Sequence, residues 1–241
     1  MFIPLKDENP TRVVPYVTFT LIGLNLLGFF MELQAPNSFE QQKLIMSMGA
    51  IPARFLENVQ VPPFFLPAWL TLFTSLFLHG GWIHLGGNML YLWIFGNNVE
   101  EYLGHGRFAI FYLVAGVVAT WAHIWLNPAS QAPLIGASGA IAGVLGAYML
   151  LYPRHHILCL VFLFFFVTLI RIPALWVLGF WFVIQIFQGT MSLAAAGSGG
   201  VAWFAHIGGF IIGLLLIQFA RKFGWNSYRG WRSRLPSESS F

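Results

Sequence analysis

Long apolar runs separated by short polar stretches dominate the chain. Six of these runs are long enough to cross a bilayer core of about 30 Å as α-helices. They are Val13–Glu32, Trp82–Val99, Phe108–Leu126, Ala137–Tyr152, Pro173–Gln188 and Trp203–Ala220. The pattern therefore predicts an all-α polytopic membrane protein in which six transmembrane helices form one bundle.

Two further apolar runs are too short for the same interpretation. Phe64–Leu78 and Ile157–Ile170 contain fifteen and fourteen residues, lengths that are typical of interfacial or re-entrant segments. We therefore predict that neither run crosses the membrane. The long connection Leu33–Gly81 is apolar enough to lie on or in the membrane surface.

The composition supports a membrane location and excludes other classes of protein. Of the 241 residues, 58% are hydrophobic and 8% are charged, whereas about 25% of a soluble domain is charged. Cys159 is the single cysteine, which excludes a disulfide scaffold. The basic residues form no stripe with interleaved aromatic residues, so no nucleic-acid partner is expected. The expected surroundings are the lipid bilayer.

The distribution of basic residues predicts the orientation of the chain. With the N-terminus in the cytoplasm, ten Lys and Arg residues lie inside and two lie outside, in agreement with the positive-inside rule. The ten are Lys6, Arg12, Arg107, Arg154, Arg171, Arg221, Lys222, Arg229, Arg232 and Arg234. We predict a cytoplasmic N-terminal tail (1–12), a membrane domain (13–220) and a basic cytoplasmic C-terminal tail (221–241), in a prokaryotic plasma membrane. The sequence does not predict the oligomeric state.

Four polar residues lie inside the predicted spans, where polar side chains are costly and often functional. They are His84, Asn88, Ser138 and His206. Taken singly, each has a structural explanation, because a serine can bond to its own helix, a histidine can lie at the interface and an asparagine can join helices. However, the serine and both histidines each lie 15 or 16 residues from the first charged residue at the cytoplasmic end of the span. At 1.5 Å per residue, we expect all three at one level, about 22–24 Å above the inner face.

Glycine spacing favours close approach of the helices that carry these residues. The fourth span carries Gly139 and Gly143, and the sixth repeats the four-residue spacing from Gly209. This small-xxx-small pattern lets helix backbones touch. Such packing would bring Ser138 within reach of His206.

The few titratable residues limit the chemistry that the membrane domain can perform. Asp7 is the only aspartate and lies in the N-terminal tail, so neither a two-aspartate site nor a Ser-His-Asp triad can form inside the membrane. No HExxH motif is present, and no carboxylate accompanies His79, His84 and His206, so we expect neither a metal nor a cofactor. The remaining chemistry is a Ser-His dyad, with Ser138 as nucleophile and His206 as general base and then acid.

Such a dyad needs hydrogen-bond donors for the oxyanion of the tetrahedral intermediate. His84 and Asn88 are four residues apart and share one helix face. Ser138 is expected at a helix N-terminus, where backbone N–H groups are free. We predict that these three residues form the oxyanion site.

Four motifs in this order resemble the rhomboid family of intramembrane serine proteases. They are His79-Gly80-Gly81-Trp82-Ile83-His84 followed by Asn88, Phe95-Gly96-Asn97-Asn98-Val99-Glu100, Gly136-Ala137-Ser138-Gly139, and Ala205-His206-Ile207-Gly208-Gly209. The resemblance covers nearly all of residues 13–220. It implies the six-helix rhomboid bundle, with Ser138 and His206 as the catalytic pair and His84 and Asn88 as oxyanion residues.

The resemblance has two further implications. The segment 189–202 corresponds to a mobile cap over the family's site, and its Gly-Ser-Gly-Gly at 197–200 fits mobility. Well-known members carry an aromatic residue one helical turn after the nucleophile, whereas this chain has Ala142 there. Another residue must therefore orient His206.

The sequence thus predicts a serine endopeptidase that hydrolyses peptide bonds in or near the transmembrane helices of membrane protein substrates. The alternative is a catalytically silent rhomboid-like protein that binds transmembrane clients. Such proteins commonly lack the serine or the histidine, and this chain has both. A transporter is a third interpretation, disfavoured because the sequence has few intramembrane carboxylates and no internal repeat.

Overall fold

The computed structural model describes residues 2–57, 62–163, 166–194 and 202–226. Within these ranges the chain forms nine α-helices, one short 3-10 helix (Ser75–Phe77) and three β-strands. The helices are α1 (Tyr16–Leu33), α2 (Ser38–Met48), α3 (Ala53–Leu56), α4 (Ala68–Thr74), α5 (Trp82–Leu103), α6 (His105–Leu126), α7 (Ser138–Leu151), α8 (Ala174–Ala194) and α9 (Trp203–Lys222). The strands are β1 (Phe2–Asp7), β2 (His156–Leu163) and β3 (Phe166–Pro173).

Helices occupy all six segments that were predicted as spans, namely α1, α5, α6, α7, α8 and α9. Among the described residues, α1, α6, α8 and α9 are long and apolar enough to cross a membrane. Helix α5 carries Glu100 and Glu101 near its end, and α7 has only 14 residues. The chain is therefore a mostly helical, multi-pass integral membrane protein, and the count of six spanning helices stays a prediction.

The description of the fold as all-α is wrong, because the three strands form an antiparallel sheet in the order β1-β2-β3. Strands β2 and β3 form a hairpin in which His156 pairs with Pro173, and β1 pairs with β2 from Phe2 opposite Val161 to Asp7 opposite Ile157. A short apolar run rich in β-branched and aromatic residues suits a strand, but its period does not distinguish a strand from a helix. The pairing of the N-terminal segment with residues 156–163 is a long-range contact that hydrophobicity does not encode.

Side chains anchor this sheet to the helical bundle. The hydroxyl of Tyr148 on α7 donates to a carboxylate oxygen of Asp7 at 2.9 Å. Burial raises the pKa of Asp7 to about 6, because the charged carboxylate loses its hydration. At the surface, Arg171 on β3 donates to Glu8 at 2.5 Å. Residues of the predicted N-terminal tail are thus part of the folded structure.

Helix α7 lies in the centre of the bundle, since 11 of its 14 residues are buried. Glycines bring it into backbone contact with α9. A Cβ atom on Gly213 would overlap the backbone of Gly143, and one on Gly209 would overlap the carbonyl oxygen of Gly139. The close packing predicted from the glycine spacing is confirmed, and it fixes the start of α7 beside the start of α9.

The connection between α1 and α5 packs against the segment that precedes α7. Ala50 forms an isolated antiparallel bridge with Leu134. The backbone N–H of Gly136 donates to the carbonyl oxygen of Ser75 in the 3-10 helix at 2.8 Å. These contacts hold residues 134 and 136, in the segment that leads into Ser138 at the start of α7.

Candidate active site

Ser138 begins α7 immediately after a sharp change of backbone direction. Gly136 has φ of 118°, a conformation that side-chain-bearing residues rarely adopt. A Cβ atom on Gly136 would also lie 2.8 Å from the imidazole Nε2 of His84. Glycine is therefore required here for both its φ angle and its lack of a side chain. The first backbone N–H groups of α7 have no acceptor within the helix.

Ser138 and His206 form a direct contact. His206 lies in the first turn of α9, and its Nε2 is 2.8 Å from the Oγ of Ser138. His206 is 9% exposed, and Ser138 is half-buried. The backbone contact between α7 and α9 places both residues at the same end of the two helices.

The second imidazole nitrogen of His206 contacts a residue that the sequence analysis missed. Its Nδ1 is 2.8 Å from the Oε1 of Gln185 on α8, and Gln185 is 4% exposed. The depth argument applied to Gln185 would have found it. The residue lies 14 positions after Arg171, which places it about 21 Å above the inner face, close to the level of the other polar residues. Gln185 lies near the end of an apolar run, and for this reason it was not counted among the polar residues inside the predicted spans.

Two tryptophans surround the imidazole of His206. The centre of the Trp181 ring is 5.8 Å from the centre of the imidazole, at an interplanar angle of 37°. The Trp203 ring lies edge-on at 6.3 Å. The aromatic neighbour that is absent at Ala142 on α7 is therefore supplied by α8 and α9.

His84 and Asn88 lie on one face of α5, beside Gly136. The backbone N–H of Gly80 donates to Nδ1 of His84 at 3.3 Å. Because Nδ1 accepts this bond, Nε2 carries the proton of the neutral imidazole and is the available donor. The Asn88 amide nitrogen is 3.0 Å from Nε2 of His79 and 3.7 Å from the ideal Cβ position of Gly136. Both side chains thus lie beside Gly136, which is two residues before Ser138 in the chain.

A supporting contact fixes the loop that carries His79. Its backbone N–H donates to the Glu32 carboxylate at 2.8 Å, and Glu32 is fully buried in α1. The His79 side chain is 1% exposed. The Asn88 side chain therefore contacts a buried residue whose backbone is anchored to α1.

These side chains line a cavity of about 1410 Å³, which His84, Asn88, Ser138, His206 and Trp181 share. In the part of the chain that the structure describes, no group of three or more His, Cys, Asp or Glu side chains is arranged to hold a metal ion. Half of the predicted cap segment, residues 195–201 with the glycines at 197, 199 and 200, lies outside the described residues, and residues 189–194 are the end of α8 and not a loop. A hydroxyl within hydrogen-bond distance of an imidazole, beside several N–H donors, is an arrangement that can activate an alcohol and stabilise an oxyanion.

The fold and the site define a multi-pass helical membrane protein with a serine and a histidine in contact at the starts of α7 and α9. A comparison with protein families identifies the domain that carries this site. The Rhomboid domain model matches residues 67–223, a range that contains all four residues of the predicted site. The chain belongs to the rhomboid family.

Several relatives share this domain. The chain is 34% identical over 135 residues to "Rhomboid protease GluP" of Bacillus subtilis, in an alignment that covers 56% of this chain and 24% of that protein. It is 30% identical over 164 residues to "Rhomboid protein 1, mitochondrial" of Saccharomyces cerevisiae, with coverage of 65% and 41%. "Putative rhomboid protease YdcA" of Bacillus subtilis is 27% identical over 150 residues, with coverage of 62% and 69%. The alignments with the first two relatives thus span less than half of those proteins.

Proposed function

We propose that the protein is an intramembrane serine endopeptidase that cleaves membrane protein substrates in or near their transmembrane helices. The observation that carries this proposal is the 2.8 Å contact between the Ser138 hydroxyl and Nε2 of His206. Family membership and the protease names of two relatives support it.

In the proposed reaction, Ser138 Oγ attacks the carbonyl carbon of the scissile peptide bond. The hydroxyl proton moves to Nε2 of His206, and the carbonyl oxygen becomes an oxyanion. His84 Nε2–H, the Asn88 amide and the backbone N–H of Ser138 are the proposed donors to that oxyanion. Loss of one such donor typically costs about 3–4 kcal/mol at the transition state.

The tetrahedral intermediate then collapses. The C–N bond breaks, and the leaving amine takes the proton from His206 as it departs. A water molecule next gives a proton to His206 and attacks the acyl-enzyme, and collapse returns the proton to Ser138. The cavity shared by His84, Asn88 and Ser138 offers this water a polar path.

The proposed substrate is a transmembrane helix that unwinds locally. Peptide bonds in a helix are shielded by their own hydrogen bonds, so the scissile bond must leave the helix to reach Ser138. Substrates with helix-breaking residues near the outer membrane face should therefore be cleaved fastest. Equal cleavage of a uniformly leucine-rich span would contradict this part of the proposal.

The proposal includes the orientation and location of the chain. The excess of basic residues at one side supports cytoplasmic termini, with residues 13–220 as the membrane domain. The proposed location is a prokaryotic plasma membrane; two of the relatives are bacterial, whereas the yeast relative is named as mitochondrial. Reporter fusions at the C-terminus, compared with fusions in the connection between α1 and α5, test the orientation.

The experiment that tests the activity uses a fluorophosphonate probe, which labels activated serines and requires no known substrate. Purified protein in detergent should be labelled, and Ser138→Ala and His206→Ala should abolish labelling. Ser192→Ala is the matched control, because this serine lines the same cavity and its hydroxyl donates to the Gly189 carbonyl. Labelling that survives Ser138→Ala would overturn the assignment. Absence of labelling of the wild type in both detergent and bilayers would favour a client-binding protein without activity.

A further inference from the structure

We infer that Gln185 is a positioning residue that selects the reactive tautomer of His206, so that the dyad acts as a Ser138–His206–Gln185 triad with an amide as its third member. This inference rests on the proposed function. A histidine can take a proton from serine only when Nε2 has a free lone pair. In the neutral imidazole, the proton must then be on Nδ1, and the group that faces Nδ1 decides whether it is there.

The group that faces Nδ1 is the Oε1 atom of Gln185, at 2.8 Å. A carboxamide presents either an acceptor or a donor, depending on how its amide plane is turned. An acceptor favours the Nδ1–H tautomer and leaves Nε2 free. A donor would favour the opposite tautomer, in which Nε2–H points at Ser138 and cannot accept its proton.

A second hydrogen bond determines which way the amide is turned. The Nε2 group of Gln185 donates to the backbone carbonyl of Trp181, one turn earlier on α8, at 3.2 Å. Turning the amide over would place two oxygen atoms against each other at Trp181. The carbonyl of Trp181 therefore holds Oε1 toward His206. The orientation of the group that faces Nδ1 affects the rate strongly. In Ser-His-Asp enzymes, an asparagine in place of the aspartate gives the wrong tautomer and lowers kcat about 10⁴-fold.

An amide suits this position because it carries no charge. Gln185 is 4% exposed, and an ionised carboxylate at such a depth would be costly. The one aspartate of the chain, Asp7, is hydrogen-bonded to Tyr148 in the second half of α7, far along the helix from Ser138. One turn earlier, α8 also contributes Trp181, whose ring packs beside the imidazole. Trp181 thus packs against His206 and Gln185 orients it. Together they replace the aromatic neighbour that Ala142 on α7 does not provide.

The test compares two substitutions that give opposite rankings under the two possible roles of Gln185. Gln185→Met keeps the length of the side chain but removes the acceptor, and Gln185→Glu keeps an acceptor but adds a charge. If Gln185 positions His206, the rate constant for fluorophosphonate labelling should fall about 100-fold in Gln185→Met. Gln185→Glu should label within about 10-fold of the wild type, with the acid limb of its pH profile moved to higher pH. Gln218→Met, an exposed glutamine on α9, should label as the wild type does.

If Gln185 only fills space, the ranking is reversed. Methionine is then tolerated, and the buried charge of glutamate destabilises the protein and lowers labelling more. Equal labelling of Gln185→Met and wild type would overturn the inference while leaving the proposed function intact. By contrast, a wild type that is not labelled at Ser138 would remove the proposed function itself.

A measurement on the wild type covers the case in which both variants fail to fold. The ¹⁵N spectrum of histidine-labelled protein distinguishes the two neutral tautomers, and the difference from His206→Ala assigns the signals of His206. The inference requires a protonated Nδ1 and an unprotonated Nε2 at neutral pH. The opposite tautomer would overturn it.

Discussion

Helices α7 and α8 both pack against α9, but by different means. Helix α7 meets α9 through glycines, whose backbones are in direct contact, and 11 of its 14 residues are buried. Helix α8 meets α9 through side chains, chiefly the stack of Phe182 on Phe210 and the bond from His206 to Gln185. Only 28% of an 18-residue apolar stretch of α8 is buried.

The difference separates two requirements of the site. The backbone positions of Ser138 and His206 depend on the contact between α7 and α9. Side-chain rotations do not change this backbone contact. The tautomer of His206 depends on α8, whose contacts with α9 are made chiefly by side chains. We therefore expect substitutions at the α7–α9 contact to remove the folded protein, and substitutions on α8 to lower activity in a protein that still folds.

The largest effect is expected for Gly213→Leu. A side chain at this position overlaps the backbone of Gly143, and two helices cannot relax around a backbone collision as they would around a flexible side chain. We expect the folded, monodisperse protein to be lost on purification, as measured by gel filtration and thermal unfolding.

Gly179→Leu on α8 is the matched control. A Cβ atom at Gly179 meets nothing within 4 Å, so this variant should purify and label as the wild type does. If Gly213→Leu folds and labels normally, the contrast between the two helices is wrong.

A second, smaller effect concerns the attachment of α7 to the sheet. The folded protein raises the pKa of Asp7 from 3.8 to about 6, so folding favours the protonated acid. The contribution of protonated Asp7 to the free energy of unfolding is complete below about pH 4 and is lost as the pH rises through about 6. The change is at most about 3 kcal/mol. We expect Asp7→Asn, which cannot titrate, to remove this part of the pH dependence.

The measurement is the difference in unfolding midpoint between wild type and Asp7→Asn at pH 4, 5, 6 and 7 in detergent. The wild type should lose stability relative to the variant across this range. A constant difference would mean that Asp7 is charged in the folded protein at all these pH values.

The sequence predicted the regions in which local pattern and depth determine structure. The six helical segments and the glycine contacts follow from apolar run length and small-residue spacing, and these are properties of single segments. The contact of Ser138 with His206 followed from equal depth on two helices that run in the same direction. Gln185 satisfies the same depth rule, but it lies on a helix that runs the other way and near the end of its apolar run.

The sheet could not be predicted in the same way. Residues 157–170 are apolar without a clear period, and the partner strand is separated from them by about 150 residues of sequence. Strand pairing over such a distance depends on the completed bundle, which brings Asp7 to Tyr148. A pattern that is read one segment at a time contains no record of that contact.

A third effect tests the hold of α8 on α9 directly. Phe182→Ala removes the stack on Phe210, in which the ring centres are 4.3 Å apart at an angle of 15°. Since Phe182 is half-buried, we expect a loss of about 1–2 kcal/mol, measured by thermal unfolding, and a smaller fall in labelling than for Gln185→Met. The control is Phe187→Ala, because this α8 phenylalanine is 61% exposed and should change stability little. Loss of the folded protein in Phe182→Ala would mean that α8 is held as firmly as α7.

The smallest effect is expected at the start of α8, where β3 leads into the helix. Arg171 and Glu8 form an ion pair, but their side chains are 70% and 38% exposed, so water and salt screen the attraction. Replacing Arg171 with Gln should change stability by less than about 1 kcal/mol and should leave labelling unchanged. A double-mutant cycle with Glu8→Gln, at low and high salt, measures the coupling of the pair. A coupling above about 2 kcal/mol that persists at high salt would show that the sheet holds the start of α8 firmly, and this would contradict the expectation that α8 is held less firmly than α7.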